Sequence, residues 1–403
     1  MEGKALWLTE DFGDLKRIVL MLGPACNFRC RHCLQMPDKD VGASCSVVLA
    51  DKVWGLLVRF IRYALGNKGM KRSVLLWGGE PLMYWDTVKE IIERTDRECH
   101  WNGSPFFMFT VITNGSLLTE EKVEFFNRYN VHVPFSYDAP YPFAARDYVS
   151  DDICRLADRL KHGEISSNPC SYNMDVLLTM KCLRAKFPHL AFNDGTPFIL
   201  RRTFDMPKDL YAFDWEKVGE IVRKLFIGAK LGDGDALNIL RTFVLPAVLN
   251  RDERKNDVPI CRARRKQLYV TVDGKVSVCY NKTDVIGTLD DTLSRIWEKY
   301  FVRISEAYVN PECEGCEHND VCDGFCLIEI RDKDGKSVTC REFRRPFWEI
   351  VKKELARIGE PPTESEVVWY RQQEKVMERQ VQMFLREGKR YEVEHTRFPK
   401  DMA

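Results

Sequence analysis

Ten of the fifteen cysteines in this 403-residue chain fall into two closely spaced groups, and thiols at such spacing are metal ligands. The first group is Cys26, Cys30 and Cys33, in the run Gly-Pro-Ala-Cys-Asn-Phe-Arg-Cys-Arg-His-Cys over 23–33. Three thiolates this close can hold three irons of a four-iron cluster and leave the fourth iron for another ligand; zinc is the other occupant such a trio takes. The second group runs Cys261, Cys279, Cys313-x2-Cys316-x5-Cys322-x3-Cys326 and then Cys340. Between the groups, the apolar run Ser73 to Trp77 ends in Gly78-Gly79-Glu80-Pro81. Glycines there admit a close backbone approach, and the acid can accept from an ammonium. An ordinary strand-to-helix turn has the same composition.

The other five cysteines, Cys45, Cys99, Cys154, Cys170 and Cys182, stand alone and read as small buried hydrophobes. Metal ligation by clustered thiols suits a reducing cytoplasm better than a disulfide framework does. With 61 basic against 60 acidic residues the net charge is +1, which calls for neither nucleic acid nor an anionic membrane. The basic clusters Arg201-Arg202, Arg262 to Lys266 and Arg344-Arg345 read as solvated faces or as positive charge beside a cluster. The start of the chain lacks the pattern of a signal peptide, and no apolar stretch reaches the roughly 18 residues of a membrane span.

The elements that must position these residues alternate in type. Arg17 to Leu22, Ser73 to Trp77, Phe106 to Thr113, Val131 to Tyr137, Met174 to Thr179 and Phe198 to Thr203 read as strands. Leu49 to Leu65, Trp85 to Thr95, Thr119 to Tyr129 and Asp147 to Lys161 carry apolar residues at helical spacing. This alternation predicts an α/β fold with a parallel sheet, whose ligands sit at the carboxyl ends of the strands. The first cysteines follow the first strand and Gly78 to Glu80 the second. Thr113-Asn114-Gly115 follows the third strand and Ser136-Tyr137-Asp138 the fourth. Downstream, Gln267 to Val272 and Val276 to Tyr280 flank Asp273-Gly274, a hairpin signal that carries Cys279 back toward Cys261. After Pro361-Pro362, the stretch Glu366 to Glu387 reads as an amphipathic helix, which either packs back on the body or binds a partner.

The CxxxCxxC run and the GGE motif together resemble the radical S-adenosylmethionine (SAM) enzymes, and the seven later cysteines resemble the SPASM extension of that family. The resemblance implies a partial (β/α)6 barrel over 1–250, a SPASM domain over 251–345 and a helical extension over 346–403. It implies SAM and three [4Fe-4S] clusters. Cys26, Cys30 and Cys33 would hold the SAM-binding cluster; Cys261, Cys279 and Cys326 the first auxiliary cluster; Cys313, Cys316, Cys322 and Cys340 the second. SAM would be bound by Gly78, Gly79 and Glu80, with Asn114, Ser136 and Asp138 as candidates for its ribose. Asn114-Gly115 also reads as a plain turn. Asp138 precedes Ala139-Pro140 where relatives commonly have glycine, and no segment matches their adenine-binding stretch. Tyr280 stands where sulfatase maturases have an aspartate that serves as base, so formylglycine formation is not the expected reaction. Tyr280 itself reads as a structural aromatic or a substrate contact.

The implied activity is reductive SAM cleavage and hydrogen abstraction in the cytoplasm from a peptide or protein side chain. A small metabolite, a sugar or a cofactor precursor is the alternative substrate; an electron-transfer protein that never cleaves SAM is the alternative of another class. A reductant such as flavodoxin or ferredoxin is expected. The first cysteine lies too early for a preceding leader-peptide domain, so a peptide substrate would call for a separate leader-binding protein or another surface.

Overall fold

The computed structural model describes residues 17–33, 54–55, 72–101, 104–140, 146, 149–167, 170–171, 173–192, 210, 212–241, 267–271, 273–279, 285–306, 316–318, 334 and 340–387. The first strand, β1 (Arg17–Met21), is buried at every residue but Arg17, the apolar run expected of a strand covered on both faces. It pairs in parallel with β2 (Arg72–Trp77), which leads through a tight turn at Pro81–Tyr84 into α1 (Trp85–Glu98). Val88, Ile91, Ile92 and Thr95 form the buried stripe of α1. Next come β3 (Phe107–Val111), parallel to β2, and α2 (Glu120–Arg128). The Thr119 side chain caps α2 by accepting from Lys122 N, and Glu120 and Glu121 complement the helix dipole.

The chain continues through β4 (Val133–Ser136), α3 (Asp151–Ala157), β5 (Gly163–Ser166), α4 (Val176–Lys186) and β6 (Ala191–Phe192). Strands β4, β5 and β6 pair in parallel, and bridges Thr110↔His132 and Thr113↔Phe135 join β4 to the β3 side. The order β1-β2-β3-β4-β5-β6 is the six-stranded partial barrel that the sequence resemblance implied.

Its first four strands lie where the sequence placed them, and the fifth does not. Met174 to Thr179 falls largely in α4, whose Asp175 cap accepts from Leu178 N and whose last turn carries Arg184 and Lys186. A short apolar run fits a buried helix as well as a strand, and here the cap and the terminal charges decide. The fifth strand is instead the four-residue β5, too short and too polar to stand out. Phe198 to Thr203 lies outside the described residues, as does Leu49 to Leu65 apart from a helical pair at 54–55.

Helices α5 (Trp215–Lys230) and α6 (Gly234–Ile239) precede β7 (Gln267–Val270), β8 (Lys275–Ser277) and β9 (Val285–Thr288). The β7–β8 pair is the predicted hairpin; it turns at Gly274, whose φ is +76°. Strand β7 also pairs in parallel with β1, from Arg17↔Gln267 to Leu20↔Val270. The hairpin therefore extends the barrel sheet, in the order β9-β8-β7-β1-β2-β3. Helix α7 (Leu293–Glu306) follows, then a π-helical turn at Cys340–Arg344, α8 (Arg345–Ala356) and α9 (Glu364–Glu387). Helix α9 packs against α4 and α5 and buries Glu366, Tyr370, Met377 and Phe384 along one face, so its apolar stripe docks on the same chain. No helix among the described residues is long and apolar enough to cross a membrane.

Candidate functional site

The cysteine loop leaves the carboxyl end of β1 and is laced to the end of β2. Leu22 N donates to Trp77 O at 2.8 Å, Gly79 N to Gly23 O at 2.8 Å and Glu80 N to Ala25 O at 2.9 Å. This lacing explains the paired glycines. Gly78 has φ +152°, and a Cβ on it would lie 2.5 Å from Gly23 O; one on Gly79 would lie 2.1 Å from Ala25 O. The Tyr84 hydroxyl accepts from Ala25 N at 2.9 Å. Within the loop, Cys33 N donates to Cys30 O at 3.1 Å and Phe28 N to Cys26 Sγ at 3.4 Å. Cys30 is buried; Cys26 and Cys33 are half-buried.

Two further strand ends, those of β3 and β4, come in beside the same loop. The Glu80 carboxylate, 1% exposed, accepts from Leu82 N at 2.9 Å, Thr113 Oγ1 at 2.6 Å and Asn114 N at 2.7 Å. Burial pushes its pKa up, against the pull of those three hydrogen bonds. Glu80 thus ties the ends of β2 and β3 together. Asn114 Nδ2 donates to Asn27 Oδ1 at 3.0 Å and lies 3.9 Å from Cys26 Sγ. Its Oδ1 accepts from Ser116 N and Oγ, so this residue both shapes the turn and touches the cysteine loop.

Ser136 ends β4 half-buried, its amide donating to Thr113 O at 2.9 Å. Beyond it the Asp138 carboxylate receives Arg146 Nε at 3.1 Å and Ser167 Oγ at 3.1 Å, and Ala139-Pro140 is a cis peptide. Arg146 Nη2 lies 3.3 Å from His32 Nε2, between Cys30 and Cys33 in sequence. Desolvation lowers the Arg146 pKa, but Asp138 and the nearby Cys30 and Cys33 outweigh it and raise it. The sequence reading gave no role to His32, Tyr84, Thr113 or Arg146. Tyr84 has a local signal, one turn past the GGE motif. Arg146 has none, because its role depends on a contact made across 114 positions.

In the second group, Cys279 is half-buried just past β8, with Ser277 Oγ donating to its carbonyl at 2.6 Å. Burial pushes the Cys340 thiol up while a hydrogen bond from Arg345 pulls it down, and the charge of Cys316 is felt there. Cys261, Tyr280, Cys313, Cys322 and Cys326 lie outside the described residues. No disulfide joins any two of the ten described cysteines. Cys99, Cys154 and Cys182 are buried, and burial pushes their thiols up to about 11, 12 and 12, the behaviour of inert core residues. The trio at 26, 30 and 33 differs: three thiols on one loop, with an amide and a side-chain N–H directed at Cys26 sulfur. That donor set fits an iron–sulfur cluster.

A radical SAM superfamily model matches residues 20–181, and a SPASM model, an iron-sulfur cluster-binding domain, matches 261–317. The radical SAM cyclopropyl synthase TigE of Paramaledivibacter caminithermalis is 22% identical over 351 residues, 81% of this chain and 71% of TigE. Native anSMEcpe with bound AdoMet superposes with a TM-score of 0.60 at 17% identity, over 85% of this chain and 97% of that one. Streptococcus suis SuiB bound to precursor peptide SuiA gives 0.52 at 15% identity, over 77% and 72%. At these identities the structural likeness establishes the fold.

Proposed function

We propose that this radical SAM enzyme with a SPASM domain acts on a peptide or protein side chain, in the cytoplasm. When bound, SAM and its reduced cluster supply a 5′-deoxyadenosyl radical that takes a hydrogen atom from the substrate. The observation that carries this reading is the convergence of four strand ends on one loop that holds three cysteines. Cys26, Cys30 and Cys33 hold the SAM-binding cluster. Gly78 and Gly79 let the β2 end lie against that loop and present their backbone to the methionine end of SAM. Glu80 holds that backbone in place through Thr113 and Asn114. Asn114, Ser136 and Asp138 face the ribose side, Asp138 by fixing the turn after β4.

Cys261, Cys279 and Cys326, and separately Cys313, Cys316, Cys322 and Cys340, hold two auxiliary clusters, making three [4Fe-4S] clusters in all. The domain division follows: barrel over 1–250, SPASM over 251–345 and helical extension over 346–403. Support for a peptide substrate comes from two structural neighbours, SuiB with precursor peptide SuiA and anSMEcpe with the Cp18Cys peptide. Flavodoxin or ferredoxin is the proposed reductant.

The test is anaerobic reconstitution, reduction and addition of SAM with a candidate precursor peptide deuterated at carbon. Deuterium in 5′-deoxyadenosine, with about twelve irons per chain, supports the reading. Deoxyadenosine that never acquires peptide deuterium, yet acquires it from a small metabolite, removes the peptide assignment. No deoxyadenosine and about eight irons removes the SAM site.

A further inference from the structure

Arg146 is a charged group that the reaction outlined above does not use. Its side chain is 8% exposed and that of Asp138 4% exposed, and a guanidinium so buried is tolerated only with partners. Two contacts hold it, Nε on Asp138 Oδ2 at 3.1 Å and Nη2 at 3.3 Å from His32 Nε2. A guanidinium only donates, so His32 Nε2 accepts and the ring proton sits on Nδ1. Ser167 Oγ holds the far carboxylate oxygen of Asp138. A polar chain thus runs from just past β5, through Asp138 and Arg146, to the residue before Cys33. Its positive member touches the cysteine loop at His32, and its negative member is held by Arg146 and Ser167. Buried charge of this kind acts through little screening, and groups around a cluster set its potential.

We propose that Arg146 is a positioning residue for the cysteine loop: it orients His32 between Cys30 and Cys33 and keeps a buried positive charge beside them that favours the reduced cluster. This rests on the assignment of the cluster to Cys26, Cys30 and Cys33. The test is a redox titration of the reconstituted enzyme by electron paramagnetic resonance, following the signal that Cys26→Ala/Cys30→Ala/Cys33→Ala lacks. The double variant Arg146→Gln/Asp138→Asn removes both charges at nearly constant volume and leaves neither one buried alone. At the wild-type midpoint its reduced-to-oxidised ratio falls about tenfold, about 59 mV for a one-electron couple, while the auxiliary signals stay in place. Arg146→Lys keeps the charge and recovers part of the shift. Loss of only the first signal in the double variant, restored in Arg146→Lys, supports the positioning role as well. An unmoved midpoint with full iron overturns the proposal. If the triple cysteine variant keeps every signal, the cluster assignment fails first and this proposal with it.

Discussion

Gly79 shows how much a single hydrogen can decide at the centre of this molecule. A methyl group there would lie 2.1 Å from a backbone oxygen of the cysteine loop, which has no flexible end to swing away. Gly79→Ala is expected to displace that loop and cut SAM cleavage by about a hundredfold, since misplacement near 1 Å costs that much; deoxyadenosine formation and iron per chain measure it. Gly219 in α5 is the contrast, since a methyl group added there would meet nothing within 4 Å. Gly219→Ala is expected to raise stability by about 0.5–1 kcal/mol with cleavage unchanged. Such differences explain what could be read from the chain alone. Cysteine spacing and the GGE motif are local and were legible. The inward turn of the Glu80 carboxylate onto Thr113 and Asn114, and the use of Asp138 by Arg146, depend on partners far away in sequence and were not.

Helix α9 is held by one buried carboxylate at its start. Glu366 accepts from Thr363 N at 2.9 Å, from Arg223 Nη2 at 2.9 Å and from Arg357 Nη2 at 3.1 Å. The Thr363 amide and these arginines hold its pKa down at about 2, below the usual carboxylate range. A folded pKa below the unfolded one gives stability that is full above about 4.3 and lost as pH falls toward 2. Glu366→Gln is therefore expected to lower the melting temperature at pH 7 and to converge on wild type as the pH approaches 2; paired melts at the two pH values check this. Tyr370, one turn on, donates to Asp233 Oδ2 at 2.7 Å, and Tyr370→Phe is expected to cost about 1 kcal/mol. The amphipathic pattern of the tail announced the helix. Its docking against α4 and α5 was one of two readings, and the fifth barrel strand was obscured by a buried helix and by its own length of four residues.

The whole molecule is joined by a pairing that runs across the proposed boundary at residue 250. Strand β7 belongs to the segment after residue 250 yet lies in register along β1, with Leu268 fully buried in the common core. Leu268→Ala is expected to cost about 2–5 kcal/mol, and hydrogen exchange should quicken in β1 and β2 together with β7 and β8. Quickening confined to the hairpin would show two separate cooperative units instead. The same pairing has a bearing on how the protein is made. Arg17 meets Ser73 on one side and Gln267 on the other, so one flank of β1 has no partner until some 250 further residues have left the ribosome. At ordinary translation speeds that interval is about 10–50 seconds. During it the nascent chain carries an apolar strand with one bare flank, followed directly by Cys26, Cys30 and Cys33, so protection of that flank is a problem a cell meets before synthesis of the chain is complete.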